Sequence, residues 1–284
     1  MPAFFASEGM PFWNELRTYD LDRSSDFYHG LFGWEIDSAD NSADGSAKSS
    51  GYYYARKQGM PIAGIIPVTA DMGSAAQHQP NQWMLSFLTD DVRAVADRSR
   101  EHGGTAGEPV DGPRGPMVAA MDIVGAQLGF IHPASEPFIA GGESGTPVWH
   151  ELAAILPDGV SIDDVATYYT QVARWNTMRH GEGAHTVITA VSEGGAYAGV
   201  WFPGEQGAAE LDAPRSRWTT YFGVDNIIEA AEYAQAHGGD IIVQPQNTEF
   251  GQIAILADPT GAPLTVCEAP EHVEEPHEGD NIFG

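Results

Sequence analysis

The chain has 284 residues, of which 40 are acidic and 13 are Lys or Arg, and its formal net charge at pH 7 is −27. Such a charge repels phosphate backbones and anionic lipid headgroups, which argues against nucleic acid and membrane partners. One cysteine, Cys267, excludes an internal disulfide, and no apolar run is long enough to span a membrane. Because residues 1–10 also lack a signal-peptide pattern, the sequence predicts a cytoplasmic protein.

The first half of the chain shows two successive β-α-β-β-β patterns. The first comprises a strand at 11–18, a helix that begins at Asp20 or Asp22, and strands near 32–36, 51–57 and 61–68. A polar loop without apolar periodicity, residues 37–50, separates the strands near 32–36 and 51–57. The second comprises a strand at 83–88, a helix capped by Asp90 or Asp91 that ends near Arg100, and strands near 105–109, 116–121 and 126–131.

The second half follows the same course. Its predicted elements are a strand at 148–154, a helix at 162–173, strands near 183–190 and 196–202, a strand at 217–223, a helix at 226–236, and strands at 240–244, 252–257 and 263–267. The chain therefore divides into copy 1 (10–134), a linker rich in Gly, Ser and Pro (135–146), copy 2 (147–269) and an acidic tail (270–284) that its composition predicts to be disordered.

The two copies share landmarks that recur in the same order, about 136 residues apart. The matched pairs are Trp13-Asn14-Glu15-Leu16 and Trp149-His150-Glu151-Leu152, Phe27-Tyr28 and Tyr168-Tyr169, Ala63-Gly64 and Ala198-Gly199, Trp83 and Trp218, His102-Gly103-Gly104 and His237-Gly238-Gly239, and Asp122 with Gly125 and Asp258 with Gly261. The common order and spacing indicate a tandem duplication. The period is too long for a solenoid, so each copy should be a folded domain.

This series of motifs (W-x-E-L, F-Y-x-x-L-F-G-W, H-G-G, D-x-x-G) resembles the vicinal oxygen chelate superfamily, which groups glyoxalase I, bleomycin-resistance proteins and extradiol dioxygenases. It looks most like the actinobacterial double-domain glyoxalase-like proteins. The resemblance implies an α+β fold of tandem glyoxalase-like domains. Four βαβββ modules would form curved mixed sheets, with helices on the outer face and the site on the concave face.

Metal-dependent members of that superfamily carry His or Glu ligands on the first, fourth, fifth and eighth strands. Alignment on the landmarks places Trp13 and Trp149 at the first-strand position, Met84 and Thr219 at the fifth, and Gly129 and Thr265 at the eighth. The fourth strands contain no His, Cys or carboxylate. Indole, thioether and glycine do not replace imidazole and carboxylate, so we predict no metal site and no cofactor.

Strand alternation places Trp13, Glu15 and Arg17 on the concave side of the sheet, and Trp149 and Glu151 at the matching places of copy 2. One expected cavity joins the first three residues to Arg217, Thr219, Tyr221, Thr265 and Cys267. The other joins the second pair to Gln82, Met84, Ser86, Gly129 and Ile131. Whether modules pair within or across copies stays open at this point. Such concave, mostly apolar surfaces are typical of small-molecule sites.

Glu15 and Glu151 are the candidate catalytic residues, because a carboxylate beside Trp in a half-dry cavity has a raised pKa and can act as a general base or acid. The alternative is structural: Glu15 pairs with Arg17 or Arg217, and Glu151 accepts hydrogen bonds from neighbouring strands. Trp13 and Trp149 either stack on a flat ligand or fill the cavity. Cys267 is either a reactive thiol or a small buried apolar residue.

Three functions follow as hypotheses. The first is metal-independent binding of a small organic molecule, as in bleomycin-resistance proteins. The second is a lyase or isomerase of glyoxalase type that uses Glu15 or Glu151 as base, or a non-standard metal site. In the third, side chains fill one cavity, and that copy only scaffolds the other. Because tandem copies can complete within one chain what single-copy relatives reach by dimerising, we expect a monomer or a homodimer.

Overall fold

A computed structural model gives the fold and describes residues 3–39, 51–69, 72, 79–182, 186–203, 215–248 and 251–269. The predicted acidic tail and most of the predicted polar loop at 37–50 lie outside these ranges. Within them, no helix combines the length and the apolar character that a bilayer crossing requires.

Copy 1 contains two βαβββ modules, preceded by a short strand. The elements are β1 (Ala3–Phe5), β2 (Pro11–Thr18), α1 (Leu21–Phe32), β3 (Glu35–Ser38), β4 (Tyr53–Lys57), β5 (Met60–Pro67), β6 (Gln82–Leu88), α2 (Val92–Glu101), β7 (Thr105–Ala106), β8 (Val110–Gly112), β9 (Gly115–Met121) and β10 (Gln127–Ile131). Among the described residues, the two helices are the ones that the apolar spacing predicts. The Asp20 and Asp91 side chains accept hydrogen bonds from the first-turn backbone and cap them.

Copy 2 repeats this order after one short strand in the linker. The elements are β11 (Phe138–Ala140), β12 (Pro147–Ala153), α3 (Ile162–Val172), β13 (Asn176–His180), β14 (Val187–Ser192), β15 (Gly195–Trp201), β16 (Arg217–Val224), α4 (Ile227–Ala236), β17 (Asp240–Thr248), β18 (Gly251–Ala257) and β19 (Pro263–Glu268). The sequence did not predict β13, because this edge strand is exposed along its whole length and has no apolar alternation. Nor did it predict β11, which lies in the linker and pairs with β1.

Both modules of a copy build one sheet. In copy 1 the strand order is β3-β4-β5-β2-β6-β10-β9-β7, with β8 also paired to β9, and in copy 2 it is β13-β14-β15-β12-β16-β19-β18-β17. At the centre of each sheet the first strands of the two modules run antiparallel, β2 beside β6 and β12 beside β16. This topology confirms the tandem βαβββ architecture. We call the concave faces of the two sheets cup 1 (copy 1) and cup 2 (copy 2).

The convex faces and their helices pack against each other across the copies. One apolar core combines Phe87 and Phe130 of copy 1 with Tyr169 and Trp175 of copy 2. The other combines Leu16, Phe27 and other residues of copy 1 with apolar residues of copy 2 that include Phe222 and Val266. The helices therefore lie between the two sheets, and each cup faces away from the other copy.

Hydrogen bonds in these cores account for several repeated landmarks. The Trp218 indole donates to the Tyr169 hydroxyl (2.9 Å), which donates to Asp122 of copy 1 (2.5 Å). The reciprocal arrangement joins Trp83 and Tyr28 of copy 1 to Asp258 of copy 2. The repeated Trp, Tyr and Asp thus tie each copy to the other.

Candidate functional site

The strand register shows which predicted site residues lie together. In copy 1, Trp13 lies opposite Ser86, which lies opposite Gly129, and Glu15 lies opposite Met84. In copy 2, Trp149 lies opposite Tyr221, which lies opposite Thr265, and Glu151 lies opposite Thr219. Our expected grouping across copies is therefore wrong. Each cavity is built within one copy, because β2 pairs with β6 and β12 with β16.

The inner end of cup 1 is closed by its own side chains. The Trp13 indole donates to the Tyr52 hydroxyl at 2.7 Å, and that hydroxyl donates to Glu15 Oε1, also at 2.7 Å. These side chains are nearly inaccessible, with exposures of 2% for Trp13, 5% for Tyr52 and 4% for Glu15. Burial raises the pKa of Glu15, and the hydrogen bond from Tyr52 opposes that change.

The β8–β9 hairpin folds over this end of cup 1. The guanidinium of Arg114, in its turn, lies 4.5 Å from the Trp13 ring centre and 5.3 Å from that of Phe12. The Tyr54 hydroxyl donates to the Pro113 carbonyl at 3.2 Å and holds the turn in place. The predicted contact of Glu15 with Arg217 does not form, because Arg217 belongs to cup 2.

Cup 2 is more open. Its concave side chains Trp149, Glu151 and Tyr221 are half-buried, whereas Leu152 and Phe222, which point to the helices, are buried. The Tyr221 hydroxyl lies 3.2 Å from Glu151 Oε1 and donates to it, as expected for a carboxylate that accepts bonds from a neighbouring strand. Burial raises the pKa of Glu151, and hydrogen bonds from Tyr221 and Trp149 oppose this.

The remaining polar residues of cup 2 surround these three. Arg217 and Thr219 are half-buried on β16, and Thr265 lies beside Tyr221 on β19. Burial raises the pKa of the Cys267 thiol to about 11, so this cysteine is a neutral thiol near pH 7 rather than an activated nucleophile.

Two residues of cup 1 were missed by sequence reasoning. Tyr52 precedes β4, and alternation from Tyr54 would have placed it on the concave side. Arg114 lies in a Gly-Pro-Arg-Gly turn without periodicity, so its position over Trp13 depends on how the hairpin folds.

The donor set at the superfamily's metal positions does not fit a divalent cation. The Trp13 and Trp149 rings lie on the first strands, beside the glycines of the neighbouring fourth strands. An added Cβ at Gly64 would lie 1.9 Å from the Tyr52 hydroxyl, and one at Gly199 would lie 3.0 Å from Trp149 Cζ2, so aromatic side chains occupy this space. In the described part of the chain, no three His, Cys, Asp or Glu side chains cluster as a metal site would require.

His150, which lies between Trp149 and Glu151 on β12, faces away from cup 2. Its Nδ1 lies 3.1 Å from the Thr220 hydroxyl, which in turn donates to Asn14 of copy 1 at 2.6 Å. Burial lowers the pKa of His150 to about 3. The residue therefore belongs to the seam between the copies, where Asn14 is its counterpart.

Duplicated βαβββ modules that form two curved sheets define the class of the protein. The chain belongs to the Glyoxalase/Bleomycin resistance protein/Dioxygenase superfamily, whose family model matches residues 12–137 and 159–266. The resemblance drawn from the motifs is thereby confirmed.

Relatives extend over nearly the whole chain. It is 30% identical over 268 residues to "Putative glyoxylase CFP32" of Mycobacterium tuberculosis, a match that covers 92% of this chain and 95% of the relative. It is 27% identical over 283 residues to "Anthracycline biosynthesis protein DnrV" of Streptomyces peucetius, with 93% and 94% covered. Both matches therefore span the two copies of this chain.

Solved structures share the fold at low identity. The 2,3-dioxygenase LapB from Pseudomonas sp. KL28 superposes with a TM-score of 0.59 at 11% identity, over 93% of both chains. The Mn(II)-bound glyoxalase from Novosphingobium aromaticivorans gives a TM-score of 0.54 at 16% identity, over 93% of this chain and 83% of that chain. At such low identity, the superpositions show that the fold is shared and nothing more.

Proposed function

We propose that the protein binds a small organic molecule in cup 2, against Trp149, Glu151 and Tyr221, without a metal ion. The observation that carries this proposal is the contrast between the cups. The concave side chains of copy 2 are half-buried, whereas Trp13 and Glu15 of copy 1 are almost inaccessible. A recess lined by half-buried aromatic and hydroxyl groups is typical of small-molecule sites.

The chemistry of cup 2 favours a flat ligand that carries a hydroxyl group. The indole of Trp149 can stack on a planar ring of the ligand. Because Tyr221 and Trp149 both donate to Glu151, its carboxyl group is arranged as an acceptor, and its remaining lone pairs can accept from a ligand hydroxyl. The relative named for anthracycline biosynthesis supports an aromatic ligand.

Metal independence is supported by the residue types at the superfamily's ligand positions. In copy 2 these are Trp149, Thr219 and Thr265, and β15 has no carboxylate, imidazole or thiol. Neutral hydroxyl groups and indole do not form the set of three nitrogen or charged oxygen ligands that Zn²⁺ and similar ions need.

Calorimetric titration with 2-naphthol, in EDTA and in buffer with added Mn²⁺, Ni²⁺ or Zn²⁺, tests this proposal. We expect the same affinity in all buffers. Trp149→Leu should weaken binding about tenfold through loss of ring stacking, whereas Trp13→Leu, the equivalent change in copy 1, should leave it unchanged. Binding that requires an added metal, or that depends on Trp13 instead of Trp149, would contradict the proposal.

A second candidate function is an isomerase or lyase of glyoxalase type with Glu151 as base. The observation in its favour is that burial raises the pKa of Glu151 while the side chain stays half-exposed to cup 2. Acting on a ketoaldehyde–thiol adduct, Glu151 would take the proton from the carbon that carries the sulfur and the hydroxyl group and return it to the former carbonyl carbon. The hydroxyl proton moves to the former carbonyl oxygen, and the product is the isomeric hydroxy thioester. No further reactant is needed.

Exchange of that carbon-bound proton with D₂O, followed by NMR, tests the second candidate. Glu151→Gln should slow exchange at least about a hundredfold, because an amide is not a base. Glu15→Gln is the matched variant in cup 1 and should leave the rate unchanged. Equal rates in wild type and Glu151→Gln would exclude Glu151 as the base.

A further inference from the structure

A recess lies at the seam between the two copies. It is formed where β2 and β5 of copy 1 meet the linker strand β11 and strand β12 of copy 2, and its volume is about 50 Å³. This volume exceeds the space that one ordered water requires and suits a molecule of a few heavy atoms. Asn14 of copy 1 and His150 of copy 2 are its polar residues. Most of its walls are apolar and include Phe12, Ile62, Phe138, Ile139 and Pro147.

The hydrogen bonds at this seam determine which ring nitrogen of His150 carries the proton. The Thr220 hydroxyl donates its one proton to Asn14 Oδ1 at 2.6 Å. Its oxygen therefore accepts from His150 Nδ1, which lies 3.1 Å away, so Nδ1 carries the N–H and Nε2 has a free lone pair. Burial lowers the pKa of His150 to about 3, so the ring is neutral near pH 7.

One polar atom of each of these two side chains is left without a partner. Among the described residues, the His150 side chain bonds through Nδ1 alone and the Asn14 side chain through Oδ1 alone. Their other nitrogens, Nε2 and Nδ2, are not among the fully buried polar atoms that lack a partner, so both remain accessible to a small molecule. Because both side chains line the recess, it offers an acceptor from copy 2 and a donor from copy 1.

A hydroxyl group matches this pair of atoms. It can donate to His150 Nε2 and accept from Asn14 Nδ2, whereas a carbonyl group can only accept and an ammonium group can only donate. No Lys, Arg, Asp or Glu is among the described residues that line the recess, so no charge there would offset the cost of burying an ionic ligand. The carbon atoms of a small alcohol would bury apolar surface against the walls.

We propose that this recess binds the hydroxyl group of a small neutral aliphatic alcohol, held by His150 Nε2 and Asn14 Nδ2. The ligand then contacts both copies at once. Cup 2 takes no part in this site, and the proposal does not depend on the function proposed for cup 2.

Titration with 2-propanol and acetone tests the proposal, because the two molecules have the same heavy-atom skeleton and acetone cannot donate. Binding is followed by NMR of the ¹⁵N-labelled imidazole of His150, whose signals are assigned by their loss in His150→Phe or, if that variant does not fold, in His150→Gln. We expect the proton on Nδ1 in the free protein and a shift of the Nε2 signal with 2-propanol. 2-Propanol should bind about fivefold to tenfold more tightly than acetone, the effect of one additional hydrogen bond.

Asn14→Leu is the decisive variant, because it removes the group that accepts the Thr220 proton. The Thr220 hydroxyl can then donate to His150 Nδ1, which moves the ring proton to Nε2 and abolishes the acceptor in the recess. We expect this change of tautomer together with loss of the preference for 2-propanol. His150→Phe should also abolish the preference. His132→Phe is the matched control, since Nδ1 of His132 also lies 3.1 Å from an oxygen but outside the recess, and the preference should persist.

Three results would overturn the proposal. The first is a proton on Nε2 of His150 in the wild-type protein, a measurement that stays valid even if Asn14→Leu does not fold. The second is that neither probe changes the Nε2 signal, which would mean that the recess holds water only. In the third, the preference for 2-propanol survives His150→Phe or Asn14→Leu. The 2-naphthol titration of Trp149→Leu reports on cup 2 alone, so failure of the seam site and failure of the cup 2 site are distinguishable.

Discussion

At the scale of single residues, Asp122 shows how the duplication places a charged group in a shared core. Its Oδ1 accepts from the backbone N–H groups of Val124 and Ala126, and its Oδ2 accepts from Tyr169 of the other copy. Burial raises the pKa of Asp122 to about 6, although these hydrogen bonds act against the rise. The folded protein therefore binds this proton more tightly than the unfolded chain, in which the pKa is about 3.9.

We predict that the contribution of Asp122 to stability decreases with rising pH. The folded pKa lies above the unfolded one, so the contribution is full below about pH 4 and is lost as the pH passes 6. Urea unfolding of wild type and Asp122→Asn should show a stability difference that falls by about 1 to 1.5 kcal/mol between pH 5 and 7.5. A difference that is constant or grows over this interval would contradict the assigned shift.

At the scale of secondary-structure elements, the two copies fill the space above β5 and β15 differently. The Tyr52 hydroxyl lies 1.9 Å from the position of an added Cβ at Gly64, and in copy 2 the nearest atom to the equivalent position at Gly199 is Trp149 Cζ2, at 3.0 Å. In copy 1 that hydroxyl is held between Trp13 and Glu15, so it cannot shift without breaking two buried hydrogen bonds. In copy 2 a small movement of the Trp149 ring would make room for an added Cβ at Gly199.

The matched substitutions Gly64→Ala and Gly199→Ala should therefore lower the free energy of unfolding by different amounts. We expect Gly64→Ala to lower the free energy of unfolding by about 3 kcal/mol, because it overpacks the strand and displaces Tyr52. Gly199→Ala should cost about 1 kcal/mol. Chemical denaturation of both variants measures the difference. Equal costs would mean that the Trp13–Tyr52–Glu15 arrangement is not rigid.

At the scale of the whole molecule, the two copies share the two larger apolar cores, so we expect them to form one folding unit. Phe87 of copy 1 packs against Trp175 of copy 2 with ring centres 5.9 Å apart, and Trp34 of copy 1 packs against Phe222 of copy 2 at 5.7 Å. An isolated copy would expose these faces to water, at a cost that scales with the apolar area.

We predict a single unfolding transition for both copies. The methyl groups of Met84 in copy 1 and Met178 in copy 2 should report the same urea midpoint by NMR. Phe130→Ala in copy 1 removes a large side chain from a core shared with Tyr169 and Trp175, and should cost about 3 to 5 kcal/mol. Both midpoints should then fall together. A Met178 midpoint that stays at the wild-type value would show that the copies unfold separately.

The sequence by itself determined the duplication, the four modules and the side of β2 and β12 on which each residue lies. It also located the first two helix caps to within two residues, and the structure selects Asp20 over Asp22 and Asp91 over Asp90. These features depend on local chemistry, because a cap needs its own first turn and alternation needs one strand. The predicted general acid or base roles of Glu15 and Glu151 stay predictions. Strands such as β13, without apolar alternation, gave no local signal.

Only the tertiary structure decided which modules share a sheet, that the two copies share the two larger cores, and which donors reach each glutamate. Apolar burial stabilises any well-packed arrangement, so an apolar strand or helix face does not specify its neighbour. Tyr52 reaches Glu15 from 37 residues away, and Arg114 reaches Trp13 through a hairpin turn. Such contacts depend on how remote segments pack, and for that reason two equivalent glutamates have different hydrogen-bond partners.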